Sequence, residues 1–222
     1  MAKNFHSEVV VASYDDHIRK LIPAYELVHQ QIEAILSTEL PENAHILIAG
    51  CGTGYELSYL LEQHPHWTFT AIDPSVTMLE QAKKNLAPFA AEQRVRFIQS
   101  TTHGLERDTF DAALAILVAH FIPEPQKTEF FQHIYESLKT GGIMLTYDLM
   151  QPENETALQI MQKMAQQTGL SLRQSENMLA RLQQDFALIP TEDFKGLLTK
   201  VGFKHCKTYC QIMNYYGFFL EK

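Results

Sequence analysis

Gly50, Cys51, Gly52, Thr53 and Gly54 form an alternating glycine run, G-x-G-x-G, straight after the uncharged stretch Ile46-Leu47-Ile48-Ala49. Leu57, Ser58, Tyr59, Leu60 and Leu61 then begin a helical pattern, so the spacing predicts a buried parallel strand, a glycine turn and a helix. Glycine serves where the backbone takes open dihedrals or lies close to a ligand. A helix start adds free N–H groups and a positive dipole end, which suit a carboxylate or phosphate. A nucleotide-type ligand is the first expectation. Dinucleotide sites space their glycines G-x-G-x-x-G, with the third allowing close helix–strand packing. Here that third position is the bulky Tyr55, which disfavours a nicotinamide oxidoreductase. About twenty residues further on, a second strand, Thr68 to Ile72, ends in Asp73-Pro74, and an acid at that offset accepts both hydroxyls of a ribose.

Other polar residues sit at predicted strand ends, where α/β ligand sites form. Phe110 to Leu117 reads as a fourth strand, with His120 and Phe121 just beyond it. His120 either positions or deprotonates a substrate or packs structurally. Ile143 to Asp148 reads as a fifth strand, and its terminal Tyr147 and Asp148 either meet substrate or form a solvated end.

The elements that must hold these groups follow in order. Pro23 fits the first turn of a helix whose apolar face is Tyr25, Val28, Ile32, Ile35 and Leu36, ending near Pro41. Tyr25 either packs this helix on the sheet or carries its hydroxyl to the ligand. Ser75 caps a helix ending near Pro88, and Val95 to Gln99 is a third strand. A helix from Pro123 to Lys139, with Phe130, Ile134 and Leu138 inward, precedes a Gly141-Gly142 turn into the fifth strand. Residues 152–189 are far longer than an ordinary connection. They read as two helices, the second opened by a Ser171/Gln174 capping box, forming a lid at the active-site rim. Thr191-Glu192-Asp193 cap a helix ending at Gly202. Phe203 to Ile212 and Tyr215 to Leu220 form a closing pair of strands.

The 222 residues make a single domain, with residues 1–40 as an N-terminal helical cap. A hydrophobic content of 45% fills a sizeable core, and a net charge of −8 argues against a broad nucleic-acid surface. Three cysteines, none in a C-x-x-C pair, point to a reducing compartment, with Cys206 and Cys210 as packing residues. Residues 1–5 open no signal peptide and no run approaches the ~20 apolar residues of a membrane span. A cytoplasmic protein with a small-molecule substrate, no membrane and no metal is expected; the oligomeric state is open.

The glycine run, Asp73, the Gly-Gly passage and the closing strand pair resemble the class I S-adenosylmethionine-dependent methyltransferases, from about residue 8 to the end. The resemblance implies an α/β, Rossmann-like seven-stranded sheet and S-adenosylmethionine as cofactor. It implies a cofactor site of Tyr25, Gly50, Cys51, Gly52, Gly54, Asp73, Pro74, Thr101, Thr102, Ile116 and Leu117. Pro74 or Val76 would border the adenine, and His120 and Asp148 are the candidate bases. Within the class, the Ile22-Pro23-Ala24-Tyr25 helix, the two-helix insertion and the Tyr-rich tail look like the carboxy-S-adenosylmethionine synthase group. That group grips an extra carboxylate with an arginine from the insertion, where this chain offers Arg173 and Arg181. Two departures stand out: many relatives carry an acid at the position of Ile48, and another at that of Thr101. Methyl transfer to a small molecule is the leading expectation. A carboxy-S-adenosylmethionine synthase-like enzyme, or a binding module holding S-adenosylmethionine or S-adenosylhomocysteine without turnover, are the alternatives.

Overall fold

The computed structural model describes residues 7, 8, 11, 14–89 and 91–222. Residues 1–5, read above for a signal peptide, and part of the expected N-terminal cap lie outside the described residues. Seven strands form one sheet in the order β3-β2-β1-β4-β5-β7-β6. They are β1 (His45–Ala49), β2 (Thr68–Asp73), β3 (Val95–Gln99), β4 (Phe110–Ile116), β5 (Leu138–Leu149), β6 (Lys204–Ile212) and β7 (Tyr215–Glu221). β1 to β5 pair in parallel, and β7 runs antiparallel between β5 and β6. This is the Rossmann-like α/β architecture expected, with its closing hairpin.

The sequence of β1 explains its central place. Ile46 and Ile48 join the hydrophobic core on one face, whereas Leu47 and Ala49 join that on the other. A strand covered on both faces excludes charge, because each fully buried aliphatic side chain is worth roughly 1.5–3 kcal/mol. Helices α1 (Tyr14–Leu21), α2 (Tyr25–Glu39), α3 (Tyr55–Gln63) and α4 (Val76–Leu86) cover the first face. Helices α5 (Glu124–Ser137) and α8 (Thr191–Val201) cover the second. The insertion forms α6 (Glu155–Gln167) and α7 (Leu172–Gln184), the latter with the expected capping box.

Four local expectations are corrected. Pro23 lies in the turn before α2, not in its first turn, and Ala24 takes a left-handed φ of 53° there. Helix α5 stops at Ser137, so Gly141 and Gly142 lie within β5, at the irregularity in its pairing with β4. Phe131 is the buried aromatic of α5; Phe130 is only partly covered. Pro190, not Thr191, precedes the first residue of α8, and no side chain caps it.

Candidate active site

The chain leaves β3 at one sheet edge and returns to β4 beside β1. Such a reversal in strand order opens a crevice at the carboxyl ends of the strands. A cavity of ≈ 360 Å³ lies there, lined by the loops after β1, β2, β3 and β4.

The glycine turn is tied to the second strand. The N–H groups of Gly50 and Cys51 both donate to the Ile72 carbonyl, at 2.8 and 3.0 Å. Gly50 has φ +81°, and a β-carbon there would lie 2.5 Å from a Val118 methyl. Gly54, with φ +83°, would place one 2.9 Å from Leu86 of α4. One glycine therefore admits the β4 loop, and the other admits close packing of α3 on α4. Asp73 stands at the end of β2, accepting from Gly52 N at 3.0 Å and Ser75 N at 2.8 Å. Its carboxylate thus holds the glycine turn and the start of α4 together while lining the cavity.

Beyond the turn the wall is aromatic. Tyr14, Tyr25 and Tyr55 line the cavity, with the rings of Tyr25 and Tyr55 centred 5.0 Å apart. His29 Nδ1 donates to the Tyr25 carbonyl at 2.7 Å, leaving Nε2 3.5 Å from Glu56 Oε1. Burial, and next the Glu56 carboxylate, push the hydroxyls of Tyr14 and Tyr25 up, so both are protonated donors. Burial likewise pushes the Cys51 thiol up, which makes it an inert wall group and not a nucleophile. α1 is held on this wall by Thr53 Oγ1, donating to Asp15 Oδ1 at 2.5 Å, and by Arg19, 5.1 Å over the Tyr55 ring.

The third side comes from β4. Ile116, Leu117 and Val118 line the cavity, and Leu117 takes a left-handed φ of 60°. Asp148, wholly buried, fixes this turn by accepting from the N–H groups of Val118, Ala119, His120 and Leu149 and from His120 Nδ1. Lys127 Nζ donates to the carbonyls of Ala119 and Ile122 at 2.5 Å each.

Of the residues expected at the cofactor, Tyr25, Gly50, Cys51, Gly52, Asp73, Pro74, Thr101, Thr102, Ile116 and Leu117 come together on the cavity wall. Gly54 lies behind it against α4. Val76 is exposed and off the wall. His120 and Asp148 are buried behind the β4 turn, bonded to each other. Among the described residues, helices α6 and α7 place none on the cavity wall; Phe186, beyond α7, reaches Phe121 with ring centroids 5.2 Å apart. Sequence reading missed Glu56, Gln126 and Phe130. Glu56 was legible as an acid in the first turn of the helix after the glycines. Gln126, on a helix remote in sequence, carried no signal, and Phe130 was read there only as an inward-facing residue of its helix.

Comparison with known proteins agrees with the fold. Residues 47–144 match the methyltransferase domain family. The carboxy-S-adenosyl-L-methionine synthase of Campylobacter concisus is 25% identical across 100% of this chain and 96% of its own. That of Desulfotalea psychrophila is 26% identical across 98% and 91%. The solved O-methyltransferase family 2 protein of Planctomyces limnophilus, in complex with apigenin, superposes with TM-score 0.69 at 14% identity, covering 100% of this chain and 62% of that one. Phosphoethanolamine N-methyltransferase 2 of Haemonchus contortus, in complex with S-adenosyl-L-methionine, gives 0.66 at 18% identity, covering 93% and 44%. The chain spans less than two thirds of either solved structure. Residues 47–144 thus carry a methyltransferase domain, in a fold similar to that of S-adenosylmethionine-dependent methyltransferases, and the chain is an enzyme with S-adenosylmethionine as its cofactor.

Proposed function

We propose that the enzyme transfers the methyl group of S-adenosylmethionine to a small-molecule acceptor bound on the Phe121–Phe130 side of the cavity. The observation that carries this reading is the composition of the wall. Asp73 and the glycine turn suit a nucleoside, while Phe121, Ile122, Pro123, Gln126 and Phe130 continue the cavity as an uncharged surface. The cofactor supplies an already activated sulfonium methyl, so the protein's task is alignment of the acceptor, which can supply much of the rate. Asp73 would accept the ribose hydroxyls, and the Tyr25 hydroxyl would donate to the methionyl part. Ile116 and Leu117 would exclude water from the reacting atoms. No histidine or lysine lines the cavity among the described residues, so an acceptor that arrives nucleophilic is favoured. We assign His120 and Asp148 to positioning the β4 turn.

A second reading, carboxy-S-adenosylmethionine synthesis, is favoured by the names of the full-length relatives. An added carboxylate calls for a cation, and no lysine or arginine lines the cavity among the described residues. Arg173 is exposed, and Arg181 Nε pairs with Asp185 at 2.9 Å. This charge balance ranks methyl transfer first. The three free thiols support a reducing, cytoplasmic setting.

Two measurements test the reading. Asp73→Ala is expected to weaken S-adenosylhomocysteine binding roughly tenfold or more in calorimetry, with the fold retained; unchanged affinity would refute the ribose assignment. Mass spectrometry of ligand carried through purification is expected to find S-adenosylmethionine or S-adenosylhomocysteine. A mass heavier by one carboxylate transfers the assignment to the second reading.

A further inference from the structure

The methionyl part of S-adenosylmethionine carries an ammonium, a sulfonium and a carboxylate. Among the described residues lining the cavity, two bear formal charge, and both are acids: Asp73 and Glu56. Asp73 sits at the end of β2, where its oxygens take Gly52 N and Ser75 N. Glu56 lies across the glycine turn, in the first turn of α3, beside the tyrosine wall. We propose that Glu56 is the anionic partner of the cofactor's amino group, and that it makes this end of the cavity selective for ligands carrying an aminocarboxylate. The inference rests on the reading of the cavity as the S-adenosylmethionine site.

Geometry supports it. The Glu56 side chain is 11% exposed, and His29, its neighbour at 3.5 Å, is 3% exposed. With Nδ1–H committed to the Tyr25 carbonyl, His29 Nε2 carries a proton toward Glu56 only as imidazolium. This one long contact among the described residues serves poorly a carboxylate with about four acceptor sites, and a nearly buried carboxylate so served is costly. An incoming ammonium supplies the charge and the donors together. Tyr14 and Tyr25 line the same cavity, and burial, with the Glu56 carboxylate next, keeps their hydroxyls protonated and so available as donors to a ligand's carboxylate. Acceptor and donors side by side match an α-amino acid zwitterion.

The test compares S-adenosylhomocysteine with 5′-methylthioadenosine, which keeps the nucleoside and thioether but lacks the aminocarboxylate. Titration calorimetry is run on the wild type, Glu56→Gln and Glu56→Asp, with unliganded thermal unfolding to verify the fold. Glu56→Gln is expected to lose roughly tenfold or more in affinity for S-adenosylhomocysteine, the scale of one charge-assisted hydrogen bond. Binding of 5′-methylthioadenosine is expected to be unchanged, and Glu56→Asp to restore part of the discrimination. A purely structural glutamate would weaken both ligands alike, and that result overturns the inference, as does full affinity in Glu56→Gln. On unmodified protein, deaminated S-adenosylhomocysteine is expected to lose a similar factor; equal binding overturns the inference without recourse to a variant. Wild type that binds neither adenosyl ligand overturns the cofactor assignment itself, an outcome distinct from failure at Glu56.

Discussion

Gly50 shows how one residue type is demanded twice at the same place. Its φ of +81° costs an L-residue about 1–2 kcal/mol, and its missing β-carbon makes room for Val118. Gly50→Ala is expected to lower the free energy of unfolding by more than the dihedral cost alone, measured by denaturant titration. Val118→Ala in the same chain removes the overlap but leaves the dihedral, so the double variant should recover only part of the loss. Full recovery would mean that the turn tolerates alanine's dihedral. The conformational demand was legible in the glycine spacing. The partner was not, because Val118 is 68 positions away and meets Gly50 only through the adjacency of β1 and β4. Ile48, at the position where many relatives carry an acid, is 2% exposed within the core, and the carboxylates lining the cavity among the described residues are Asp73 and, on the next helix, Glu56.

At the scale of elements, the turn from Leu117 to Ile122 positions one wall of the cavity, clamped between Asp148 of β5 and Lys127 of α5. Asp148→Asn puts an amide N–H₂ where backbone N–H groups converge. An expected loss of about 1–3 kcal/mol follows from the unsatisfied donors. Because Leu117 and Val118 line the cavity, the affinity for S-adenosylhomocysteine should fall with it. A base would behave differently: methyl transfer would slow while cofactor affinity stayed at the wild-type value. Calorimetry beside a single-turnover assay separates the two roles. His120 and Asp148 were recognisable as polar groups at strand ends. That they face each other behind the turn depends on how β4 and β5 pair, which periodicity does not encode.

At the scale of the whole molecule, ligand binding should act on global stability. The single tryptophan, Trp67, is buried, donates to the Pro41 carbonyl at 3.0 Å and stacks on His64. Its fluorescence is therefore a reporter of unfolding. S-adenosylhomocysteine at a hundred times its dissociation constant should add about 2.7 kcal/mol by mass action, and NAD at the same concentration should add nothing. Stabilisation by NAD would reopen the oxidoreductase reading that Tyr55 disfavours. No helix among the described residues is long and apolar enough to cross a membrane. The insertion rests on the N-terminal helices: Met161 and Leu182 bury in the core that holds α1 and α2, and Thr168 donates to the Lys20 carbonyl. The order of strands and helices, the glycine turn and Asp73 were determined by the sequence alone, because apolar periodicity, turn chemistry and capping are local properties. Which side of each helix faces the cavity, that Glu56 and the tyrosines meet there while His120 and Asp148 do not, and where the insertion comes to rest were decided by tertiary packing. Those contacts join residues far apart in the chain, and only the twisted sheet with its reversal between β1 and β4 brings them together.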